Sequence, residues 1–329
     1  MIANTTEIRD NMTHMSALNK IGTRLLTSIE QVRRRDDARQ RSLAKAEKYN
    51  VVGAGGAITA AYEQLRNAAE NTDEHLLLQN AIRRFFKQLF VVRDDTLVRH
   101  SGTELVIELT FAGYIPNDSI TPEQIEEISK LASQHFAAYE KLQQRRGLSA
   151  DLSSSWILET LSVLVARIIA PNERDVAFMD FSYEYFTEAI PRDAVSKATR
   201  DEYGAALYVA IHRALLKSDV APMRAGWLAP YDVTVGHLEQ FVDVNKKIDA
   251  LINGSVSDEL YHIVDRQGAP LRIVRQMIEK HEDLPKELLK REVFLDAFEQ
   301  QVTKEYSNIM KRINRAIVRS VIFLVITKF

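Results

Sequence analysis

The residues after Pro285 constrain the fold of this chain most. From residue 286 to Phe329 there is neither Pro nor Gly, and the apolar residues recur at the spacing of a single helix face. Leu295, Phe298, Val302, Tyr306, Ile309, Ile313 and Ile317 follow one another in steps of 3 or 4 residues, which is the signature of an amphipathic helix. A helix over 286–329 would span about 66 Å. Lys304, Lys311, Arg312, Arg315 and Arg319 fall on its opposite side. Beyond Ile317 the one-sided pattern dissolves, and Val318, Val321, Ile322, Phe323, Leu324, Val325 and Ile326 point in every direction around the axis. A helix that becomes apolar all round just after a cationic collar is patterned to enter a bilayer or a fully buried groove.

Composition supports a helical protein. Of 329 residues only 12 are Gly and 8 are Pro, too few breakers for a chain of many short strands and turns. The expected fold is all-α, an irregular multi-helix bundle with a long C-terminal helix. There is no Cys, so disulfides, thiolate nucleophiles and Cys metal sites are excluded, as fits a reducing compartment. The N-terminus lacks a charged segment followed by an apolar run, so no signal peptide is read there. The 43 basic and 45 acidic side chains nearly cancel, which argues against a surface adapted as a whole to nucleic acid or anionic lipid.

Along the chain, residues 16–48 read as a helix with Leu18, Ile21, Leu25, Ile29 and Val32 on one side. After Val32 the stripe is lost, and residues 33–48 hold seven basic and three acidic side chains. Gly53, Gly55 and Gly56 follow as a break; no buried strand precedes them, so they are not a dinucleotide-binding loop. Two helices are expected between Ala57 and Val92, the second starting near Thr72 or Asp73. Residues 93–103 read as loop, and 104–113 as a strand or a short helix between Thr103 and Gly113. Thr121-Pro122-Glu123-Gln124 is the clearest helix start, with an N-cap, Pro at the first helical position and Gln at the third. The apolar segment from Ser153 to Ala170 is long enough to cross a membrane, but its Ser-rich start, Glu159 and Arg167 favour a core helix. Helices are then expected from Asn172 to Glu188, over 194–217, and near 235–252, 258–266 and 270–282, after which Asp283 caps the final long helix. The Pro- and Gly-containing stretch 218–232 is the natural internal boundary. The organisation expected is therefore an N-terminal arm and break (1–56), a helical body (57–217), a second helical part (218–310) and a collar with a membrane-proximal segment (311–329).

Few residues suggest chemistry. Asp180, Glu184 and Glu188 form an acidic ridge at i, i+4, i+8, flanked by Phe178, Phe181, Tyr185 and Phe186. Carboxylates beside aromatics are raw material for acid–base catalysis or divalent metal binding. They are equally the solvent face of an ordinary amphipathic helix, which is the expectation here. Glu259 and His262 provide one Glu-x-x-His spacing, where a di-metal bundle needs two. His-Glu-x-x-His, Gly-x-Ser-x-Gly and Walker A motifs are missing. His212 beside Tyr208 reads as a core histidine, and Trp156 and Trp227 as core anchors. Ile82, Phe85, Phe86 and Leu89 read as a core stripe backed by solvated Arg83, Arg84 and Lys87.

No catalytic residue, metal or cofactor is assigned from these patterns. The leading expectation is a cytoplasmic helical interaction module held at a membrane by its C-terminus, with Lys311, Arg312, Arg315, Arg319 and Val321 to Ile326 meeting lipid or an apolar partner. The nine residues after Ser320 cover only about 14 Å of a hydrocarbon core about 30 Å thick, so a soluble part of a longer membrane protein fits the pattern too. An unidentified protein partner is expected. The alternatives are a helical enzyme or metal-binding protein using the acidic ridge, and a nucleic-acid binder using the Arg33–Lys48 arm. The second is disfavoured because Asp36 and Asp37 interrupt the basic run.

Overall fold

The computed structural model describes residues 19–52, 74–229, 233–280 and 290–328. Helix follows helix throughout, and there is no β-strand among the described residues. The expected all-α bundle with a long C-terminal helix is the fold. In chain order the helices are α1 (Lys20–Leu43), α2 (Glu74–Val92), α3 (Asp95–Arg99), α4 (Ser101–Phe111), α5 (Pro122–Gln143), α6 (Ala150–Ile169) and α7 (Glu173–Ala189). They continue as α8 (Lys197–Asp201), α9 (Tyr203–Ile211), α10 (Val220–Leu228), α11 (Leu238–Asn253), α12 (Ser255–Gln267), α13 (Ala269–Lys280) and α14 (Arg291–Lys328).

Local chemistry sets these boundaries. The start of α5 carries the expected capping box: Thr121 Oγ1 accepts from the Gln124 N–H, and Gln124 Oε1 accepts from the Thr121 N–H. Asn172 Oδ1 accepts from the Asp175 N–H and starts α7 where expected. The end of α4 is a Schellman motif. Gly113 takes a φ of 75°, its N–H donates to Thr110 O, and the Tyr114 N–H donates to Leu109 O. The segment is therefore a helix and not a strand, and it runs from Ser101 to Phe111 rather than starting after an N-cap at Thr103. The expected loop at 93–103 instead contains α3. Its N-cap Asp94 accepts from the N–H groups of both Thr96 and Leu97, and with helices on both sides Ser101 and Gly102 are buried.

The helix expected over 194–217 is divided. Ser196 caps the short α8, with its N–H and hydroxyl donating to Glu259, and the chain turns at Glu202. α9 then passes into a π-turn at His212–Leu216 and stops at Lys217, whose φ is 49°. The carbonyls that this wider turn releases are taken up by α13: Arg272 donates to Ala214 O, and Arg275 to Leu215 O and Leu216 O. The α1 helix also differs from expectation, because it ends at Leu43 rather than near Lys48. Residues 44–52 instead run back over the body, where the Tyr49 N–H donates to Ile120 O and the Val51 N–H to Asn117 Oδ1.

Two apolar cores result. One joins α2, α4, α5, α6 and α11 around Phe86, Phe90, Leu105, Ile128, Trp156, Leu161 and Phe241. The other joins α1, α7, α9, α12 and α13 around Phe178, Phe186, Leu207, Ile211, Leu260 and Val264. The apolar α6 is a core helix: Trp156, Ile157, Leu161 and Val165 are fully buried, and it packs against α2, α5 and α10. Residues 220–228 of the Pro- and Gly-containing stretch form α10, and Ala221, Met223, Arg224 and Leu228 are buried there. The Gly53–Gly56 break, the helix from Ala57, the start near Thr72 or Asp73, Leu18 and the Asp283 cap lie outside the described residues.

Candidate functional site

Helix α14 differs from every other long helix of the bundle. It has 38 residues, about 57 Å of rod, and packs on the body through α13. Gln301 is buried and donates to Gln276 Oε1 and Glu305 Oε1 at 3.1 and 2.9 Å. Phe294 and Phe298 stack on one another half-buried, with ring centroids 6.5 Å apart.

The apolar stripe itself is left open. Leu295 is 45% exposed, Tyr306 68%, Ile309 51%, Met310 53% and Ile313 45%. Side chains of this size in the two cores are almost completely covered, so a run of them open to solvent over several turns is an unusual feature. Lys311 and Arg315 are exposed on the same rod. The helix continues unbroken to Lys328. The side chains of Arg312, Arg319 and Val321 to Ile326 lie outside the described residues, so their surroundings are not part of this site's geometry.

One member of the acidic ridge serves a docking contact, and the other two face solvent. Glu184 is ion-paired with Arg24 of α1, while Asp180 and Glu188 are exposed. Desolvation pushes the Asp180 carboxyl above the ordinary aspartate value. In the first turn of α7, ahead of the ridge, Glu173 pairs with Arg35 at 2.9 Å and Asp175 with Arg275 at 3.2 Å. The acids of α7 thus face arginines of α1 and α13. Among the described residues no group of three or more metal-type side chains converges, here or elsewhere. Glu259, half of the Glu-x-x-His spacing, is bonded to the Ser196 and Thr199 hydroxyls, which hold it below the usual glutamate value.

The basic arm spends much of its charge internally as well. Arg34 pairs with Glu30 at 2.6 Å and Arg39 with Asp36 at 3.8 Å, besides the pair from Arg35 to Glu173. The first half of α1, from Ile21 to Val32, is buried against α7, and the second half is mostly exposed.

Two polar clusters escape single-sequence reading. The first is a network around Arg224, which is 2% exposed. Its guanidinium donates to Glu159 Oε2 at 2.7 Å, Asn245 Oδ1 at 2.7 Å and Asp249 Oδ1 at 2.6 Å. Trp156 Nε1 donates to Asp249 Oδ2 at 2.7 Å. Burial raises the Glu159 pKa, and the Arg224 charge works against that rise. Every donor–acceptor pair here is satisfied between side chains of α6, α10 and α11, so the arrangement clamps three helices together. The second cluster is aromatic. His212 lies 4.5 Å from the Tyr208 ring, with Nδ1 3.1 Å from Ser218 Oγ, and Trp227 meets Tyr208 edge-on at 6.0 Å. Burial pushes His212 down to about 4 and Tyr208 up to about 12, which holds both neutral at ordinary pH. A groove of about 220 Å³ beside Ile190, Pro191, Ile263 and Arg266 is small beside the few hundred Å³ of an ordinary ligand pocket.

No protein-family model matches this chain, and neither does any curated protein or solved structure.

Proposed function

We propose that this chain is a non-catalytic helical interaction module whose contact element is the projecting helix α14. The observation that carries the reading is the open stripe of Leu295, Tyr306, Ile309, Met310 and Ile313 on a rod anchored to the body near Gln301. Exposed apolar surface of that extent is costly in water and marks a surface that works when covered.

A second reading concerns the last turns. The cationic collar Lys311, Arg312, Arg315 and Arg319, followed by a segment apolar on all sides from Val321 to Ile326, supports attachment of the module to a membrane on its cytoplasmic side. Each basic residue near an anionic surface contributes about 1 kcal/mol. The test is co-sedimentation of the full chain, and of the chain ending at residue 317, with anionic and neutral vesicles. Membrane attachment predicts pelleting with anionic vesicles that weakens when the segment is removed. Equal partitioning of the two chains contradicts it. The contact-element reading is tested on the same vesicles, and by solution mass, with Tyr306→Glu/Ile309→Glu, which should abolish whatever association the full chain has.

A further inference from the structure

The N-terminal arm is docked on the body at two separated points. At the first, α1 lies on α7. Leu25, Ile29 and Val32 enter the second core, while Arg24 pairs with Glu184 and Arg35 with Glu173. The two pairs run in opposite chain directions, so α1 is antiparallel to α7. At the second point, residues 49–51 lie on the loop between α4 and α5. The Tyr49 N–H donates to Ile120 O at 2.9 Å, and Asn50 Nδ2 donates to Asp118 Oδ1 and Oδ2 at 2.9 and 3.1 Å. The Asn117 side chain binds both backbone groups of Val51. Its Oδ1 accepts from the Val51 N–H at 2.9 Å, and its Nδ2 donates to the Val51 carbonyl at 3.3 Å. A sheet edge offers the same pair of contacts to an extended peptide.

Val51 is 4% exposed and enters the first core, while Asn50 and Val52 on either side of it are exposed. One apolar side chain therefore pegs the chain at this point. The loop holds Asp118 at a φ of 56°, a left-handed conformation uncommon for a residue with a side chain. The Asp118 N–H donates to Asn117 Oδ1 at 3.0 Å, so one carboxamide both organises the loop and grips the arm. Between the two docking points residues 44–48 are exposed. Two contacts joined by a short linker reinforce one another, because a released one stays close to its site while the other holds. Each is modest alone. The arginines of the α1 pairs are exposed, so those pairs contribute little. Without the arm the second core still has Phe178, Phe186, Leu207, Ile211, Leu260 and Val264 from α7, α9 and α12. We propose that residues 19–52 are a latch that opens as one unit from a body that stays folded, and that the 115–120 loop is a docking site for an extended peptide, filled in cis by Tyr49-Asn50-Val51. Opening uncovers the side of α7 that Leu25, Ile29 and Val32 close off.

The lack of native Cys allows the opening to be read in the full chain by thiol labelling without denaturant. Ile29→Cys reports on the latch, and Leu207→Cys, in the same core, on the body. Ile29→Cys is expected to label at least about tenfold faster than Leu207→Cys. Asn50→Ala changes an exposed residue at the other docking point. It should speed the labelling of Ile29→Cys at least about threefold, while the fluorescence of Trp156 and Trp227 stays that of the folded body. Should a Cys variant fail to fold, hydrogen exchange of the unsubstituted chain gives the same comparison, between the amides of 24–35 and those of 206–211. Equal rates for latch and body would mean that the arm leaves only when everything unfolds, and would overturn the latch. Labelling of Ile29→Cys that ignores Asn50→Ala would show two unconnected contacts and overturn the opening as one unit. Cross-linking of Arg24→Cys on one chain to Glu184→Cys on another, when the two variants are mixed, would put the arm on a second copy and overturn docking in cis.

Discussion

Gln301 of α14 donates to Gln276 of α13 across 3.1 Å and is buried, whereas Tyr306, little more than one turn further along, is 68% exposed. The helix therefore opens to solvent within about one and a half turns, and its contribution to stability should change at the same place. Ile313→Ala is expected to alter the unfolding free energy of dilute, monomeric chain by less than about 0.5 kcal/mol. Ile128→Ala, in the first core and fully buried, should cost about 2–5 kcal/mol. Urea titrations of the two variants measure the contrast. A large loss from Ile313→Ala would mean that the stripe packs inside the body.

The Arg224 network should behave as a buried clamp. Arg224→Ala leaves Glu159 and Asp249 in the core without their cation and is expected to cost about 3–5 kcal/mol. Glu239→Ala removes a pair of similar geometry, Arg145 with Glu239 at 2.6 Å, but Glu239 is exposed, so the loss should stay under about 1 kcal/mol. Equal effects of the two substitutions would contradict the assignment.

Gly226 lies against the Tyr208 hydroxyl so closely that a Cβ there would collide with it. Gly226→Ala should therefore destabilise the fold by about 1–3 kcal/mol. Tyr208→Phe removes the colliding atom, and the double variant should recover most of that loss. Additive losses in the double-mutant cycle would place the cause elsewhere.

How much of this was legible in the sequence depended on range. Local signals were reliable. The Thr121–Gln124 capping box, the Asn172 cap, Gly113 as a C-terminal stop and the stripe of α1 through Val32 all concern residues within a few positions of one another. The Asp94 cap was equally local and could have located α3, but the polar composition of 93–103 concealed it. What single-sequence reading could not supply was partnership across distance. Glu159, Arg224 and Asp249 each read as an isolated charge, and only packing of α6, α10 and α11 makes them one network. Likewise Glu173, Asp175 and Glu184 of α7 read as ordinary helix acids, while their arginine partners on α1 and α13 emerge only when those helices dock. The division of 194–217 depends on Glu259 and Arg275, which lie dozens of residues downstream.

Stability should fall as the solution is acidified. His135 and His212 are both held near 4 by burial, and His135 Nε2 has no partner among the described residues. In the unfolded chain both titrate near about 6.5. Because the folded values are the lower ones, the unfolded state binds more protons below about pH 6.5, so stability is complete above that value and declines toward pH 4, by about 3 kcal/mol per histidine at most. The raised carboxyls of Glu159 and Asp180 act in the opposite sense and offset part of the decline. Urea midpoints at about pH 7.5 and 4.5, for the chain and for His135→Leu, measure the effect. The variant should show the shallower dependence, and identical profiles would contradict the burial argument.

The most direct measurement of the central claim is hydrogen exchange along the full chain, dilute and then at high concentration or with anionic vesicles. If α14 is the contact element, the amides of 303–328 exchange quickly in dilute chain, as the exposure of Tyr306, Ile309, Met310 and Ile313 along it implies. They then gain protection when the chain is concentrated or meets vesicles, while the amides of α5, α6 and α9 keep the rates that they had. Contradiction would be a segment 303–328 already as protected as α5 in dilute chain, or new protection that appears on the body and leaves α14 unchanged.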